Sequence, residues 1–498
     1  MELDELTIAG ALDLFASGDF SAAELCQAFH QRIADIDRAG PSSRSVLELN
    51  PDALGAAEAC DRARQNDGRM PLLNGIPILV KDSIDTADQT MTTAGSLAML
   101  GHKAQRDAVV VDRLRKAGAV ILGKANMTGW SYMRSARTCS GWSSRGGQIR
   151  NPHILDRTPS GSSGGSAVAV AASLCMGALG AEVDGSIVRP SSANGVVGIK
   201  PTVGLVSRTD VVPVAAPQDT AGPMARTVAD VALLLTIIAG PDPEDPATMA
   251  EGALKSPDFM RFLTDDALRG ARLGVARDMM GTHEGVDKVV ETAIETLRDL
   301  GAEIIDPALG AWTPFFGEAE TELCLYGFKN GIDRYFAEHS NSPMKNLAEV
   351  IAFNEANADR VMQYFPQDLF ERAQAMGDLN DEAYQKAKKE CRRMSRTDGI
   401  DKVLEQHQLD AIIAPTDGTP PWAIDPLVGD HIIDGCSAPP AMAGYPHVTV
   451  PAGTCHGLPV ALSFFSKAWQ DGKLLGYAFA FEQATRARPI PTFKATVS

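Results

Sequence analysis

The stretch Pro159-Ser160-Gly161-Ser162-Ser163-Gly164-Gly165-Ser166 lies at the centre of a strand and helix pattern that determines the fold. We predict a small-residue helix from Gly164 to Gly177 and a strand from Leu179 to Val183, which leads to Ser186. Upstream, Ile76 to Lys81 is a short apolar run after a glycine, and it predicts a buried strand that ends in a charge. Strands that alternate with helices in this way are typical of an α/β protein whose sheet is covered on both faces.

Further elements follow the same pattern along the chain. Ser21 and Glu24 form a capping box at the start of an N-terminal helix. Predicted helices cover residues 52–65, 107–117, 284–300 and 473–486. Predicted strands cover residues 120–122, 272–276, 303–306, 409–414 and 447–451.

The stretch from residue 318 to residue 406 has a different character, because it is charged and mostly helical without a convincing strand. No low-complexity linker separates it from its surroundings. We therefore predict a single domain over residues 1–498, with a mixed, mainly helical insertion at residues 242–410.

The composition is that of an ordinary globular protein with a strong negative charge. Of the 498 residues, 44% are hydrophobic and 22% are charged, and the formal net charge is −17. A nucleic-acid partner is not expected, because nucleic-acid surfaces usually need a basic patch. We expect the negative charge to serve solubility.

Cysteine and histidine usage argues against disulfides and metal. The eight cysteines are scattered and form no CxxC pair, so we predict free thiols in a reducing cytosol. The nine histidines form no HExxH motif and no cluster with cysteines, so we predict no metal site and no cofactor. The N-terminal residues lack the pattern of a secretory signal. The longest apolar run, Ala167 to Ala181, is shorter than the ~20 residues of a spanning helix. We therefore predict a cytoplasmic protein with no membrane partner.

The glycine- and serine-rich loop allows several interpretations. A Walker phosphate loop is disfavoured, because Gly165-Ser166-Ala167 stands where that loop needs Gly-Lys-Ser/Thr. The loop also matches G-x-S-x-G, which would make Ser163 the nucleophile of an α/β-hydrolase-like esterase. That elbow needs a downstream histidine, and three are available: His431, His447 and His456. Alternatively, the glycines and serines only build a tight turn before a helix.

Another interpretation combines Ser162 with Ser186, 24 residues further on, and with Lys81. A serine needs a base to become a nucleophile, and a lysine that acts through a second serine can supply one. Taken alone, Lys81 would more simply be a solvated charge at the end of a strand. Together, the three residues indicate a hydrolase that uses no histidine.

The neighbouring motifs resemble the amidase signature family from Arg150 to Asp230. The matching motifs in this region are Arg150-Asn151-Pro152, residues 160–166, Asp184-Gly185-Ser186-Ile187, and residues 195–202, 204–208 and 218–226. The resemblance extends to residues 75–82 and, more weakly, to residues 443–446 and 457–459, so it spans nearly the whole chain. The run from Asp184 to Val188 and the motif Gly141-Trp142-Ser143 look most like the branch of bacterial peptide amidases and broad amidases.

The resemblance implies both a fold and a site. The fold is a large mixed β-sheet with helices on both faces. The site is a Ser–cis-Ser–Lys triad, in which Ser186 is the nucleophile, Ser162 bridges on a cis peptide bond and Lys81 is the base. Ser163 is expected to orient the relay. The oxyanion hole is expected to consist of backbone N–H groups, those of Val183, Asp184, Gly185 and Ser186.

The proposed base must lose its charge to work. A lysine with its ordinary pKa near ~10.4 is a poor base at neutral pH, but burial can lower that pKa by several units. Neutral Lys81 would then take a proton from Ser162 as Ser162 takes one from Ser186.

The chain departs from the family pattern beside the nucleophile. The usual run Gly-Thr-Asp/Glu-Thr reads Gly180-Ala181-Glu182-Val183, so two hydroxyls are missing. Val188 stands where many members carry an arginine, and Arg189 follows one position later. These differences leave the triad intact and bear on rate and substrate preference.

The resemblance implies an enzyme that hydrolyses the C–N bond of a carboxylic amide through an acyl-enzyme, such as a peptide amidase or an aryl or acyl amidase. The alternatives are the A-type component of a glutamyl-tRNA amidotransferase, the Ser163-centred esterase and an inactive binding protein. The expected partner is a small-molecule or peptide amide, and the expected assembly is a monomer or homodimer.

The substrate pocket is predicted in the helical insertion, where four aromatic residues could form an apolar wall. They are Trp312, Phe315, Phe316 and Tyr326. Such a wall would favour apolar or aromatic acyl groups over small charged ones. Alternatively, these side chains only pack the insertion onto the α/β body.

Overall fold

The computed structural model describes residues 3–67, 71–250, 252–255, 257–310, 312, 317–432 and 434–497. The strands are β1 Val46–Leu49, β2 Pro77–Lys81, β3 Val120–Ala125, β4 Trp142–Ser143, β5 Gly147–Gln148, β6 Gly177–Glu182, β7 Val197–Lys200, β8 Thr220–Ala225, β9 Arg272–Val275, β10 Glu303–Ile305, β11 Ala411–Pro415, β12 His447–Cys455 and β13 Leu458–Phe465.

The α-helices alternate with these strands along most of the chain. They are α1 Ile8–Ser17, α2 Ala22–Arg32, α3 Ala53–Asp67, α4 Val109–Lys116, α5 Gly164–Ala171, α6 Val188–Asn194, α7 Val228–Ile238, α8 Glu284–Asp299, α9 Glu318–Glu338, α10 Leu347–Ala356, α11 Ala358–Val361, α12 Asp368–Gln374, α13 Glu382–Arg392, α14 Asp401–His407, α15 Ala438–Ala443 and α16 Asp471–Thr485. The predicted capping box is confirmed at the start of α2, where Ser21 and Glu24 cap each other's backbone amides.

One large mixed sheet organises the described part of the chain. Its eleven strands lie in the order β1-β3-β2-β6-β8-β7-β12-β13-β11-β9-β10, and β4 pairs separately with β5. Strand β2 is parallel to both β3 and β6, whereas β8, β7, β12 and β13 are antiparallel to their neighbours. Every residue of β2, β3, β8 and β13 is buried, which requires cover on both faces of the sheet. The predicted α/β fold is therefore confirmed.

The small-residue helix α5 is shorter than the sequence pattern predicts. It ends at Ala171, and the chain turns through Ser173, whose φ is 54°. The Met176 amide then donates a hydrogen bond to the Pro77 carbonyl, and Gly177 pairs with Ile78 of β2. The prediction of a helix up to Gly177 is wrong at this end, because pairing with β2 takes the last residues into the sheet.

The predicted insertion at residues 242–410 contributes to both the sheet and the helical layer. Strands β9 and β10 join the sheet beside β11, in parallel. From α9 to α14 the described residues contain helices and no strand. Helix α9 packs its apolar side on α10, α12 and the buried Trp130 of the α/β body. The division into one domain with an insertion stays a prediction.

None of the helices in the described residues combines the length and the apolar character that crossing a lipid bilayer requires.

Candidate active site

Lys81 ends strand β2 at the edge of the sheet where the parallel strand β6 also ends. Its side chain is completely buried. Its Nζ donates hydrogen bonds to Ser162 Oγ at 2.6 Å and to the Ala181 carbonyl oxygen at 2.9 Å. The carboxyl ends of adjacent parallel strands are a common location for sites in α/β proteins. The sheet therefore brings together the lysine and the serine loop predicted from the sequence.

The surroundings of Lys81 favour its neutral form. Burial lowers the pKa of Lys81 to about 7, although the carboxylates of Glu182 and Asp219 act in the opposite direction. A buried amine loses the hydration that stabilises its positive charge, which makes it a usable base near neutral pH. The environment supplies the property that the predicted base requires.

The bridging serine lies on a tightly packed loop. The Gly161–Ser162 peptide bond is cis, and the Thr128 amide donates a hydrogen bond to the Ser162 carbonyl oxygen at 3.0 Å. A Cβ on Gly161 would lie 2.2 Å from Thr128 Oγ1, and one on Gly165 would lie 2.1 Å from the Asn126 carbonyl oxygen. Side chains at these two positions would push the loop away from Lys81, so glycine is required there.

The Glu182 carboxylate holds the loop that carries Ser186. It accepts hydrogen bonds from the backbone amides of Gly185 at 2.8 Å, Ile187 at 2.6 Å and Val188 at 3.1 Å. Burial raises the pKa of Glu182, while the charge of Lys200 and these amides lower it. The sequence analysis noted Glu182 only as part of a variant motif, and its role as a scaffold for the loop was missed.

Three of the four predicted oxyanion-hole amides remain available for a substrate oxygen. Gly185, whose φ is 73°, commits its N–H to Glu182. The N–H groups of Val183, Asp184 and Ser186 have no hydrogen-bond acceptor among the described residues. A turn that presents several unpaired amides beside a nucleophile can stabilise a developing negative charge.

Ser163 connects the two serine loops through its backbone. Its N–H donates to the Ser186 carbonyl oxygen at 3.1 Å. Its hydroxyl donates to the Ala181 carbonyl at 3.2 Å and accepts from the Ala181 amide at 3.3 Å. The elbow interpretation would need a histidine at this hydroxyl, but His447 is hydrogen-bonded to Ser463 at 2.6 Å. No described histidine is hydrogen-bonded to Ser163.

Ser162 and Ser186 both line a cavity of about 660 Å³. The Ser186 side chain makes no hydrogen bond to another described residue, so the second step of the relay is not formed in this structure. Catalytic hydrogen bonds are often long or poorly aligned before substrate is bound. One wall of the cavity is apolar and is formed by Val183, Val211, Val212, Pro213, Val214 and Ala216.

The mouth of the cavity is charged. Arg208 forms a bidentate ion pair with Asp245, with distances of 2.8 and 2.5 Å. Arg106 pairs with Asp210 at 2.6 Å. A substrate would therefore pass a rim of paired charges before its acyl group reaches the apolar wall.

The predicted aromatic residues occupy other positions. Trp312 packs edge-on against Phe465 and donates a hydrogen bond to Asp278 at 2.6 Å. Tyr326 packs on Tyr384 and donates to Asp381 at 3.2 Å. Neither residue is among the described residues that line the cavity. Phe315 and Phe316, the other two residues of the predicted pocket, lie outside the described residues.

The C-terminal end of helix α9 is fastened to the loop that follows Lys81. His339 Nε2 lies 3.0 Å from an Asp85 oxygen and 3.4 Å from an Asp210 oxygen, and the Tyr335 hydroxyl donates to Asp85 at 3.0 Å. Burial alone would lower the pKa of His339, but hydrogen bonds with Asp210 and Asp85 raise it to about 10. Three such groups could surround a metal ion. A protonated imidazole and the guanidinium of Arg106 instead neutralise both carboxylates, so this group acts as an ion-pair cluster.

The departures from the family pattern have identifiable contacts. Ala181 needs no hydroxyl for its contribution, because its carbonyl oxygen accepts from Lys81 and Ser163. Arg189 extends from α6 and lies 2.8 Å from the Asp417 carboxylate. Val183 is buried at the cavity wall. These contacts place the departures around the site rather than within the lysine–serine contact.

The fold and the motifs define the class of the protein. A family model described as Amidase matches residues 24–475. The chain therefore belongs to the amidase signature family, as the sequence motifs predicted, and it is an amide-hydrolysing enzyme.

Similar proteins are found among solved structures and known sequences. The X-ray structure of native peptide amidase from Stenotrophomonas maltophilia is 46% identical, with a TM-score of 0.92 over 98% of this chain and 99% of that chain. A probable amidase of Arabidopsis thaliana is 40% identical over 99% of this chain and 92% of its own length. The A-type component of the glutamyl-tRNA(Gln) amidotransferase of Chloroflexus aurantiacus is 35% identical over 97% of both chains.

Proposed function

We propose that this amidase hydrolyses the primary amide of a peptidyl or N-acylated amino acid substrate through Ser186, Ser162 and Lys81. The observation that carries the proposal is the 2.6 Å contact between Lys81 Nζ and Ser162 Oγ, in which a fully buried lysine reaches the cavity that Ser186 also lines. The similarity to the Stenotrophomonas maltophilia peptide amidase supports the choice of substrate class.

The first half of the reaction forms an acyl-enzyme. Ser186 Oγ attacks the amide carbonyl carbon and gives its proton to Ser162, which passes its own proton to neutral Lys81. The negative charge on the substrate oxygen is stabilised by the free amides of Val183, Asp184 and Ser186. The proton then returns through Ser162 to the leaving nitrogen, the C–N bond breaks, and ammonia leaves an ester on Ser186.

The second half of the reaction releases the acid. Water attacks the ester carbonyl and gives a proton to the same relay. The bond between the carbonyl carbon and Ser186 Oγ breaks, and the serine recovers its proton. The balance is one amide and one water converted to one carboxylic acid and one ammonia, with no other co-reactant.

The cavity supports an acyl group larger than that of a simple aliphatic amide. A volume of about 660 Å³ is within the range of pockets that hold drug-sized ligands. The apolar wall from Val211 to Val214 suits an aromatic or aliphatic side chain. The nearby Arg208 offers little to a small anionic acyl group, since its charge is already held by Asp245.

A substrate panel tests this proposal. Ammonia release by the purified chain is measured with a dipeptide amide, an anilide and malonamate, and with Ser186→Ala as the control. We expect the highest kcat/KM with the dipeptide amide and no turnover by the variant. A clear preference for malonamate, or equal turnover by Ser186→Ala, would contradict the proposal.

A second candidate function is supply of ammonia to a partner, as in a glutamyl-tRNA amidotransferase. The similarity to the Chloroflexus aurantiacus amidotransferase component favours it. Such a component depends on partner chains, so activity of the purified chain on the dipeptide amide separates the two functions. Glutamine hydrolysis that appears only with added partner chains would support the second function.

A further inference from the structure

Three consecutive residues beside the bridging serine have left-handed backbone conformations. The φ angles are 52° at Trp130, 50° at Ser131 and 76° at Tyr132. None is glycine, and each such residue costs roughly 1 kcal/mol or more in backbone strain. This turn is joined to the site, because the Ser131 amide donates to the Thr128 carbonyl and the Thr128 amide donates to the Ser162 carbonyl, both at 3.0 Å.

The residues on either side of Ser131 hold the turn in place. The buried Trp130 packs edge-on against Phe328 of α9 and Phe370 of α12, and its amide donates to the Ala94 carbonyl at 2.8 Å. The Tyr132 hydroxyl is hydrogen-bonded to Ser140. Ser131 itself is only partly buried, and it lines the cavity with Ser162 and Ser186. The strained turn therefore presents one side chain to the substrate.

The hydroxyl groups around the cavity have different uses. Thr209 donates to Asp242 and Thr220 donates to the Ala221 carbonyl at 3.3 Å. Tyr335 donates to Asp85 at 3.0 Å. With Ser162 and Ser186 assigned to the relay, Ser131 is the remaining cavity hydroxyl, and its side chain has no hydrogen-bond partner among the described residues.

We propose that the Ser131 hydroxyl hydrogen-bonds a peptide group in the acyl part of the substrate and so selects peptidyl amides over plain acyl amides. The inference rests on the proposed function, whose substrates carry such a group. An apolar wall with one uncommitted hydroxyl is the kind of lining that fixes the orientation of a polar ligand. The leaving group of a primary amide is only ammonia, so the acyl part must fill most of the cavity.

Binding to an inactive parent tests the inference without turnover. Calorimetry compares Ser186→Ala with the double variant Ser131→Ala/Ser186→Ala. The ligands are N-acetyl-L-phenylalaninamide and 3-phenylpropanamide, which differ in the peptide group. Loss of one hydrogen bond should weaken binding of the first compound about five- to tenfold and leave the second unchanged. Equal weakening of both, no weakening of either, or no binding of the first compound to the parent would overturn the inference.

Turnover by the Ser131→Ala variant separates this inference from the proposed function. We expect a lower kcat/KM for N-acetyl-L-phenylalaninamide, mainly through KM, and an unchanged value for 3-phenylpropanamide. If the unmodified enzyme hydrolyses neither compound, the proposed function fails while the binding comparison still judges Ser131. If it hydrolyses both and the variant retains the full preference for the first, Ser131 has no such role.

A glycine substitution separates a substrate contact from a purely structural role. Ser131→Gly relieves a left-handed position, so the thermal unfolding midpoint should rise by about 1–2 °C while the peptidyl preference falls. Gln408→Gly is the matched control, because Gln408 also has a left-handed φ, 53°, and does not line the cavity. The control should gain stability with unchanged kinetics. A Ser131→Gly variant with unchanged preference would contradict the inference.

Discussion

The Ser163 amide donates a hydrogen bond to the Ser186 carbonyl oxygen at 3.1 Å and so ties the loop before α5 to the loop after β6. The two loops come from separate parts of the α/β unit, and this bond sets the position of one serine pair against the other. It uses the backbone of Ser163, whose side chain points to Ala181. Ser163 is therefore expected to be a positioning residue, whereas Ser186 faces the cavity.

Substitution of the two serines should have very different effects. Ser163→Ala keeps the amide bond to Ser186 and loses only the contacts with Ala181, so we expect activity to fall by about tenfold. Ser186→Ala removes the nucleophile and should lower kcat by several orders of magnitude. Steady-state kinetics on one peptide amide measures both. An inactive Ser163→Ala together with an active Ser186→Ala would instead support the elbow interpretation.

The pH dependence of kcat/KM should report the charge of Lys81. Burial lowers the pKa of this lysine to about 7, and only the neutral amine accepts a proton. Activity should therefore fall about tenfold per pH unit below pH 7, rise through that value and then level off.

Lys81→Arg serves as the charge-retaining variant for this prediction. It should be inactive at every pH, since arginine stays protonated. A fully active Lys81→Arg enzyme would show that the charge at this position is only structural.

Glu182→Gln should disrupt the nucleophile loop. The carboxylate accepts from the amides of Gly185, Ile187 and Val188, whereas an amide side chain would turn a donor towards at least one of them. We expect kcat to fall by about a hundredfold, with a loss of stability of about 1–3 kcal/mol from an unpaired buried donor. Kinetics and denaturant unfolding measure the two effects. Activity close to that of the unmodified enzyme would show that the loop does not depend on this carboxylate.

The His339 cluster should stabilise the fold in a pH-dependent way. The folded-state pKa of His339 is raised to about 10 from an ordinary value of 6.5. The stabilisation is therefore fully present below pH 6.5 and is lost as the pH rises towards 10. The difference in thermal midpoint between the unmodified enzyme and His339→Asn should be largest at pH 6 and should shrink by pH 10.

The exposed His456 provides a control for the His339 prediction. His456→Asn should change the thermal midpoint little at either pH. A difference for His339→Asn that grows between pH 6 and pH 10 would contradict the protonated pairing with Asp85 and Asp210.

The sequence predicted the fold class and brought Lys81, Ser162 and Ser186 together, but mostly through motifs rather than through pattern. Lys124 and Lys200 are also fully buried lysines in apolar strands. Hydrophobic pattern alone would not select Lys81 from these three. The family motifs did so, because they link each position to a place in the fold.

The missed elements have physical explanations. No strand was predicted over β8, since its Gly222 and Pro223 are unfavourable for a strand interior. The same strand is fully buried between β6 and β7, where pairing overrides propensity. Aromatic residues such as Trp312 and Tyr326 have the same local pattern whether they pack a core or line a cavity. Only the tertiary contacts with Phe465 and Tyr384 distinguish the two.

Mapping the acyl group on the protein tests the central claim most directly. The enzyme is mixed with a peptidyl p-nitrophenyl ester, quenched in acid and cleaved on the amino side of aspartates. This cleavage separates residues 156–183, which contain Ser162 and Ser163, from residues 184–209, which contain Ser186. We predict the added acyl mass on fragment 184–209, located on Ser186 by fragmentation and absent from Ser186→Ala. Acyl mass on fragment 156–183, retained in Ser186→Ala, would contradict the assignment of Ser186 as the nucleophile.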